Sequence, residues 1–144
     1  MLNIKRLDIE EARRLIAVAR LKAEDIGVPM CIAVTDESGI LIAFERMDGA
    51  KITSVNLAID KAYTASGIKK STQALGEVSQ PGMPAHGIAS ALGGRMVTVA
   101  GGLPVLSGSD VVGGIGVSSG SPAQDHDVAQ AGADVFSKMK NPNA

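Results

Sequence analysis

The sequence predicts an α+β domain: one mostly antiparallel sheet of five strands, covered by helices. Three observations carry that expectation. Two apolar strand-like runs, 31–36 and 40–46, are joined by the polar turn Glu37-Ser38-Gly39, which suits a tight hairpin. Three further apolar runs after residue 95 are separated by glycine- and serine-rich turns, and strands joined by tight turns pair antiparallel. Helix-period segments stand before, between and after these runs.

Asp8 is placed to cap the first helix, with Glu10 and Glu11 in the turn where the helix dipole favours anions. Ile9, Ala12, Ile16, Ala19, Ala23 and Ile26 then recur in steps of three and four, which marks one buried stripe. Gly27 ends the helix and Pro29 keeps the next residues extended. After the hairpin, a second helix spans about Ser54 to Gly67, with Val55, Leu57, Ala58, Ala62 and Ala65 as its apolar positions. Lys61 lies one turn from both Leu57 and Ala65, so its aliphatic stem should follow a buried edge.

Residues 71–78 suit a short helix, 79–84 a loop by their Pro and Gly content, and 86–92 another helical turn. Strands are expected at Met96–Ala100, Leu103–Leu106 and Val111–Ser118, followed by a helix from about Ala123 to Met139. The polar tail 141–144 should fray.

Composition bounds the rest. The 144 residues fit one domain able to bury a core without disulfides, and no segment reads as a domain linker. With one Tyr, two Phe and no Trp, that core must be built from Ala, Val, Ile, Leu and Met, with close backbone contacts. A net charge of −1 and the lack of a basic run argue against nucleic acid. No apolar run approaches the ~20 residues of a spanning helix, and residues 1–20 lack a signal-peptide core, so a cytoplasmic protein away from membranes is expected. The single cysteine, Cys31, excludes a disulfide framework and reads as a small buried strand residue.

In order along nearly the whole chain, Val34-Thr35-Asp36 with Gly39, Arg46-Met47-Asp48-Gly49-Ala50, Lys61-Ala62-Tyr63-Thr64-Ala65, Gly101-Gly102-Leu103-Pro104, Gly113 to Gly120 and Asp125 resemble the GlcG/HbpS-like family, also found as the C-terminal domain of PduO-type corrinoid adenosyltransferases. The resemblance implies a profilin-like fold and assembly into a homo-oligomer, a dimer or larger ring. It also implies haem binding, known for some members, or a tie to small-acid or diol catabolism. One departure is visible: Ser118-Ser119-Gly120 stands where the family commonly has Ser-Gly-Gly.

Four sets of residues could carry chemistry. Arg46, Asp48 and Lys61 suit an anion pocket, Arg46 clamping a carboxylate and Lys61 adding charge or a proton; they equally suit an ion pair fixing hairpin to helix. Gly102 and Gly116 lie in glycine loops whose N–H groups could face a ligand, or mark close contact of helix and sheet. These glycines form neither a Walker loop nor a dinucleotide fingerprint. His86, after the proline loop, is the expected metal ligand if haem iron is bound, although no family motif carries that role to it. Asp125 and His126 begin the last helix near a natural anion site, but as neighbours their side chains diverge. Two histidines and one thiol without metal spacing do not make a zinc site.

Two functions follow as expectations. One is a small-molecule or haem-binding accessory protein, with a pocket between the hairpin, the second helix and the last strand–helix turn. The other is an isomerase, lyase or hydratase acting on a small carboxylate, with Lys61 or Asp48 as acid–base.

Overall fold

The computed structural model describes residues 1–140; the tail expected to fray lies outside them. Nine elements follow in order: α1 (Ile9–Asp25), β1 (Cys31–Asp36), β2 (Leu41–Arg46), α2 (Ser54–Ile68), α3 (Thr72–Val78), a 3-10 segment (Ile88–Gly94), β3 (Gly102–Ser107), β4 (Asp110–Ser118) and α4 (Pro122–Lys140). Asp8 caps α1 in a full capping box: its carboxylate accepts from Glu11 N–H, and the Glu11 carboxylate accepts from Asp8 N–H. Ala12, Ile16, Ala19 and Ala23 are buried as their spacing predicts. Ile9 is exposed and Leu15 takes its place in the buried stripe.

The sheet has four strands, in the order β2-β1-β4-β3, every neighbour antiparallel. The predicted fifth strand, Met96–Ala100, does not form. Its Val97 N–H donates to Thr64 Oγ1 of α2 at 3.0 Å rather than to a strand. Arg95 is held by Asp60 (2.9 Å) and lies 3.8 Å over the Tyr63 ring. Side chains of α2 therefore take the bonds a strand partner would have taken, and the segment runs as a strap across α2.

The two faces of the sheet differ in kind. One carries Ile32, Val34, Leu103, Val105, Ile115 and Val117, packed with α1 and α4 residues such as Leu15, Val128 and Phe136. The other carries Cys31, Ala33, Gly102, Gly114 and Gly116, against which α2 lies with Ala58 and Ala62. A methyl group on Gly116 would run into the Ala58 carbonyl and lie 2.5 Å from Ala62 N; one on Gly102 would lie 2.5 Å from the Lys61 carbonyl. Glycine here is what allows helix and sheet backbones to touch. That closeness brings the middle of α2 to the C-terminal end of β4.

Candidate functional site

Lys61, midway along α2, crosses the glycine layer and ends where β4 hands over to α4. Its side chain is 3% exposed. The ammonium donates to the Val117 carbonyl at 2.9 Å and to Asp125 Oδ2 at 2.8 Å. Asp125, 4% exposed in its side chain, accepts from Gly120 N–H through its other oxygen at 2.8 Å. Gly101 sits against the pair with φ +125°, and a Cβ there would lie 2.5 Å from the Val117 carbonyl and 2.8 Å from Lys61 Nζ. The start of α4 is fixed by a second capping box: Gln124 N–H donates to Ser121 Oγ and Ser121 N–H to Gln124 Oε1, with Pro122 at the first helical position. The box puts Asp125 in the first turn, turned inward.

Two cavities open beside this pair. The smaller, about 280 Å³, is lined by Lys51, Thr53, Ser54, Leu57, Lys61, Val97, Val99, Ser118, Ser119, Gly120, Pro122 and Asp125. The larger, about 670 Å³, is a groove between α3, residues 98–100 and the first turn of α4, and His126 lines it with Gln73, Glu77, Gln80 and Asp127. Val99 and Pro122 belong to both, so they form the wall between them. Asp125 and His126, adjacent in sequence, thus face different cavities. His126 Nδ1 is buried with no hydrogen-bond partner among the described residues.

The other singled-out residues are placed as follows. Arg46 and Asp48 are exposed at the end of β2, line neither cavity, and form no ion pair among the described residues. Arg46 sits opposite Cys31 in the β1–β2 register. Burial pushes the Cys31 thiol above its usual range, and the Arg46 charge partly offsets that. The Arg46, Asp48 and Lys61 trio is therefore not assembled: Lys61 is held by Asp125 instead. Gly102 donates its N–H to Thr72 Oγ1 at 2.9 Å, and Gly116 is paired within the sheet, so both are engaged in the fold. His86 is exposed in the turns after the proline loop and does not line the groove. Among the described residues no group of three His, Cys, Asp or Glu side chains could hold a metal ion.

Sequence reasoning missed Ser54 as a site residue and gave Ser118, in the Gly113–Gly120 segment, no role; the two are buried at 2% and 4% exposure, with the Ser118 hydroxyl 3.2 Å from that of Ser54. It also missed Lys51, whose backbone N–H donates to Ser119 Oγ at 3.0 Å. The signal available was the spacing of Ser54, Leu57 and Lys61, which share one face of α2 at steps of three and four. Leu57 was expected in the core; it is 41% exposed because that face turns to the cavity rather than to the sheet.

Comparison with known proteins fits this architecture. Residues 7–134 match the family model described as haem-degrading protein HbpS-like. A 15.0 kDa protein of unassigned function from the dhaT–dhaS intergenic region of Citrobacter freundii is 33% identical, over 95% of this chain and 96% of its own length. The crystal structure of ORFY from Klebsiella pneumoniae superposes with a TM-score of 0.93 at 31% identity, covering 95% of this chain and 94% of that one. That of PduOC in complex with haem gives 0.86 at 34% identity, covering 90% and 94%. The chain belongs to the HbpS-like family.

Proposed function

We propose that this HbpS-like protein is a haem-binding accessory protein, and that haem lies in the groove between α3 and α4. The observation that carries the reading is that the groove presents His126, one of only two histidines in the chain, in a volume of about 670 Å³. That volume is in the usual range for a ligand cavity. The haem-bound PduOC relative supports the choice of ligand. The residues present fit the group. Val99, Ala100, Pro122 and Ala123 offer an apolar wall for the macrocycle, and the His126 imidazole would be the group that holds the iron. The unpartnered Nδ1 leaves the ring without an internal bond to hold its proton in place. Glu77 and Asp127 on the rim disfavour propionates beside them, which directs the carboxylates elsewhere. When bound, haem would supply an iron centre. The chain's own part is to ligate it, shield it and orient its acids.

Haem titration followed by visible absorption tests this. Wild type should give a saturable Soret band. His126→Ala should shift the band and weaken binding, while His86→Ala should leave both unchanged. A band unaltered in His126→Ala would overturn the assignment, and a band lost only in His86→Ala would move the ligand to the proline loop.

A second reading draws on the sealed Lys61/Asp125 pair beside two serines: an isomerase, lyase or hydratase acting on a small carboxylate. Its acid–base group would be Lys61, with Asp48 outside the cavity. Exchange of an α-hydrogen of small acids in D2O, followed by NMR and lost in Lys61→Gln, tests it. Exposed Ile52, Leu57 and Val99 beside the site would be covered in a homo-oligomer, which light scattering in solution would detect.

A further inference from the structure

We infer that the smaller cavity, walled from the haem groove by Val99 and Pro122, is a binding site for a carboxylate group. The inference rests on unused hydrogen-bond donors that converge on one small space.

Lys61 brings three N–H donors and meets two acceptors, Val117 O and Asp125 Oδ2. The third proton has no acceptor among the described residues. Ser54 and Ser118 bring two hydroxyl protons. One is used in the bond between them, and the other has no acceptor among the described residues. All three residues are more than nine-tenths buried and line the cavity. Each of the three groups already has a partner, so the spare protons are bonding capacity that an acceptor in the cavity would take up.

The electrostatics select the acceptor's charge. Thr53 occupies the N-cap of α2 without a side-chain cap bond and the first turn carries no acidic residue; the Ser54 and Val55 N–H groups donate to the Lys51 and Ile52 carbonyls, so this end of the helix adds partial positive charge to the cavity rather than free N–H donors. The charged lining groups are Lys51 and Lys61 against Asp125, which leaves one positive charge in excess. One negative charge completes it. Leu57, Val97, Val99 and Pro122 supply an apolar side, which an organic acid uses and inorganic phosphate does not. A space of 280 Å³ equals the liquid volume of about nine waters, enough for a short-chain acid. The bound carboxylate would accept from the spare serine hydroxyl and from Lys61, with Lys51 at the open side.

A carboxylate can come from a free acid or from a haem propionate reaching past Val99. Isothermal titration of the haem-free protein with acetate, butyrate and L-lactate reads the first source. Comparing haem with its dimethyl ester reads the second. Ser54→Ala and Lys51→Met are the test variants, because the first is a small deletion and the second lies on the surface. We expect saturable binding of at least one acid, weakened about tenfold by Ser54→Ala. Lys51→Met should weaken it further as salt is lowered, because it removes a screened attraction. Should the propionates be the source, esterification and Lys51→Met should lower haem affinity alike. The inference is overturned if no acid binds at millimolar concentrations and esterified haem binds as haem does. It is equally overturned if binding occurs but is indifferent to both substitutions. Loss of the Soret band in the haem experiment would leave the free-acid titration unaffected, so the two readings fail separately.

Discussion

The two faces of one sheet are built on opposite principles. Under α1 and α4, branched side chains interlock: Leu15, Ile32, Val34, Ile115, Val117 and Phe136 fill the space between layers. Under α2 almost no side chain intervenes, and Gly102, Gly114 and Gly116 let the helix backbone rest on the strands. The first face derives its stability from volume filled. The second gives that up for proximity, and proximity lets a mid-helix lysine reach the end of β4. Chemistry collects on the face with less apolar side-chain volume, because polar groups there can be positioned by backbone.

The contrast is broken most sharply by adding one methyl group to each design. Gly116→Ala drives a Cβ into the Ala58 carbonyl, backbone against backbone, with no flexible end to give way. It should cost about 3 kcal/mol or more. Ile115→Val, next door but facing the other layer, removes a methylene and should cost only about 0.5–1.5 kcal/mol. Urea unfolding of both variants decides it. Equal costs would show that α2 slides on the sheet and that its closeness is not what holds Lys61.

Of comparable size is the effect of breaking the sealed pair. Lys61→Met leaves the Asp125 carboxylate buried without its cation and should cost about 3–5 kcal/mol. Adding Asp125→Asn removes the orphaned charge while keeping an oxygen for Gly120 N–H, so the double variant should recover a large part of the loss. Costs that simply add would mean the two groups do not act as a pair.

A smaller effect separates this sealed pair from the charge cluster at the margin of the opposite face. Burial alone would raise the Asp36 carboxyl. The Ser38 hydroxyl and the Ile40 and Ser38 N–H groups, with the Arg6 charge, outweigh it and hold the group below the usual carboxylate range. A carboxyl whose folded pKa is depressed adds stability that is present above its unfolded pKa and lost as pH falls through the folded value. Asp36→Ala should therefore cost about 1–3 kcal/mol at neutral pH. The gap from wild type should shrink as pH drops below about 4. A gap constant down to pH 2 would show that shape, rather than charge, is what Asp36 supplies.

Most of the architecture was legible because it is local. Asp8 with Glu11, the Gly27 stop and the 38–39 turn each act within a few residues, and periodicity finds what they bound. Met96–Ala100 misled because its composition suits a strand while its fate depends on Thr64 and Asp60, more than thirty residues earlier. The site shows the same divide. Lys61 was legible as a charge on a buried edge, and Asp125 as an acid in a first turn. Their pairing was not, since it spans 64 positions and exists only because three glycines thin the layer between them. Arg46 and Asp48 drew attention by being charged within an apolar stretch, yet charge at a strand end is also what solvent exposure produces.

The smallest expected effect concerns the chain's departure from its family pattern. Ser119 has φ +115°, a conformation that disfavours any residue with a Cβ, at the position where glycine is the family's common choice. Its hydroxyl accepts from Lys51 N–H at 3.0 Å, which ties the mouth of the smaller cavity to the segment preceding α2. Two contributions oppose each other in Ser119→Gly. Relief of backbone strain gains about 1–3 kcal/mol. Loss of an exposed hydrogen bond and the added freedom of glycine in the unfolded chain return about 1–2 kcal/mol. The balance should be a slight stabilisation, under about 1 kcal/mol, seen as a small rise in Tm. Because the tie holds Lys51 at the cavity mouth, the same variant should bind acids more weakly even as it unfolds later. A stabilised variant with unchanged binding would mean the serine is merely tolerated. A destabilised one would show that the tie to Lys51 outweighs the strain, and that the departure from glycine strengthens the very edge of the molecule where the ligand enters.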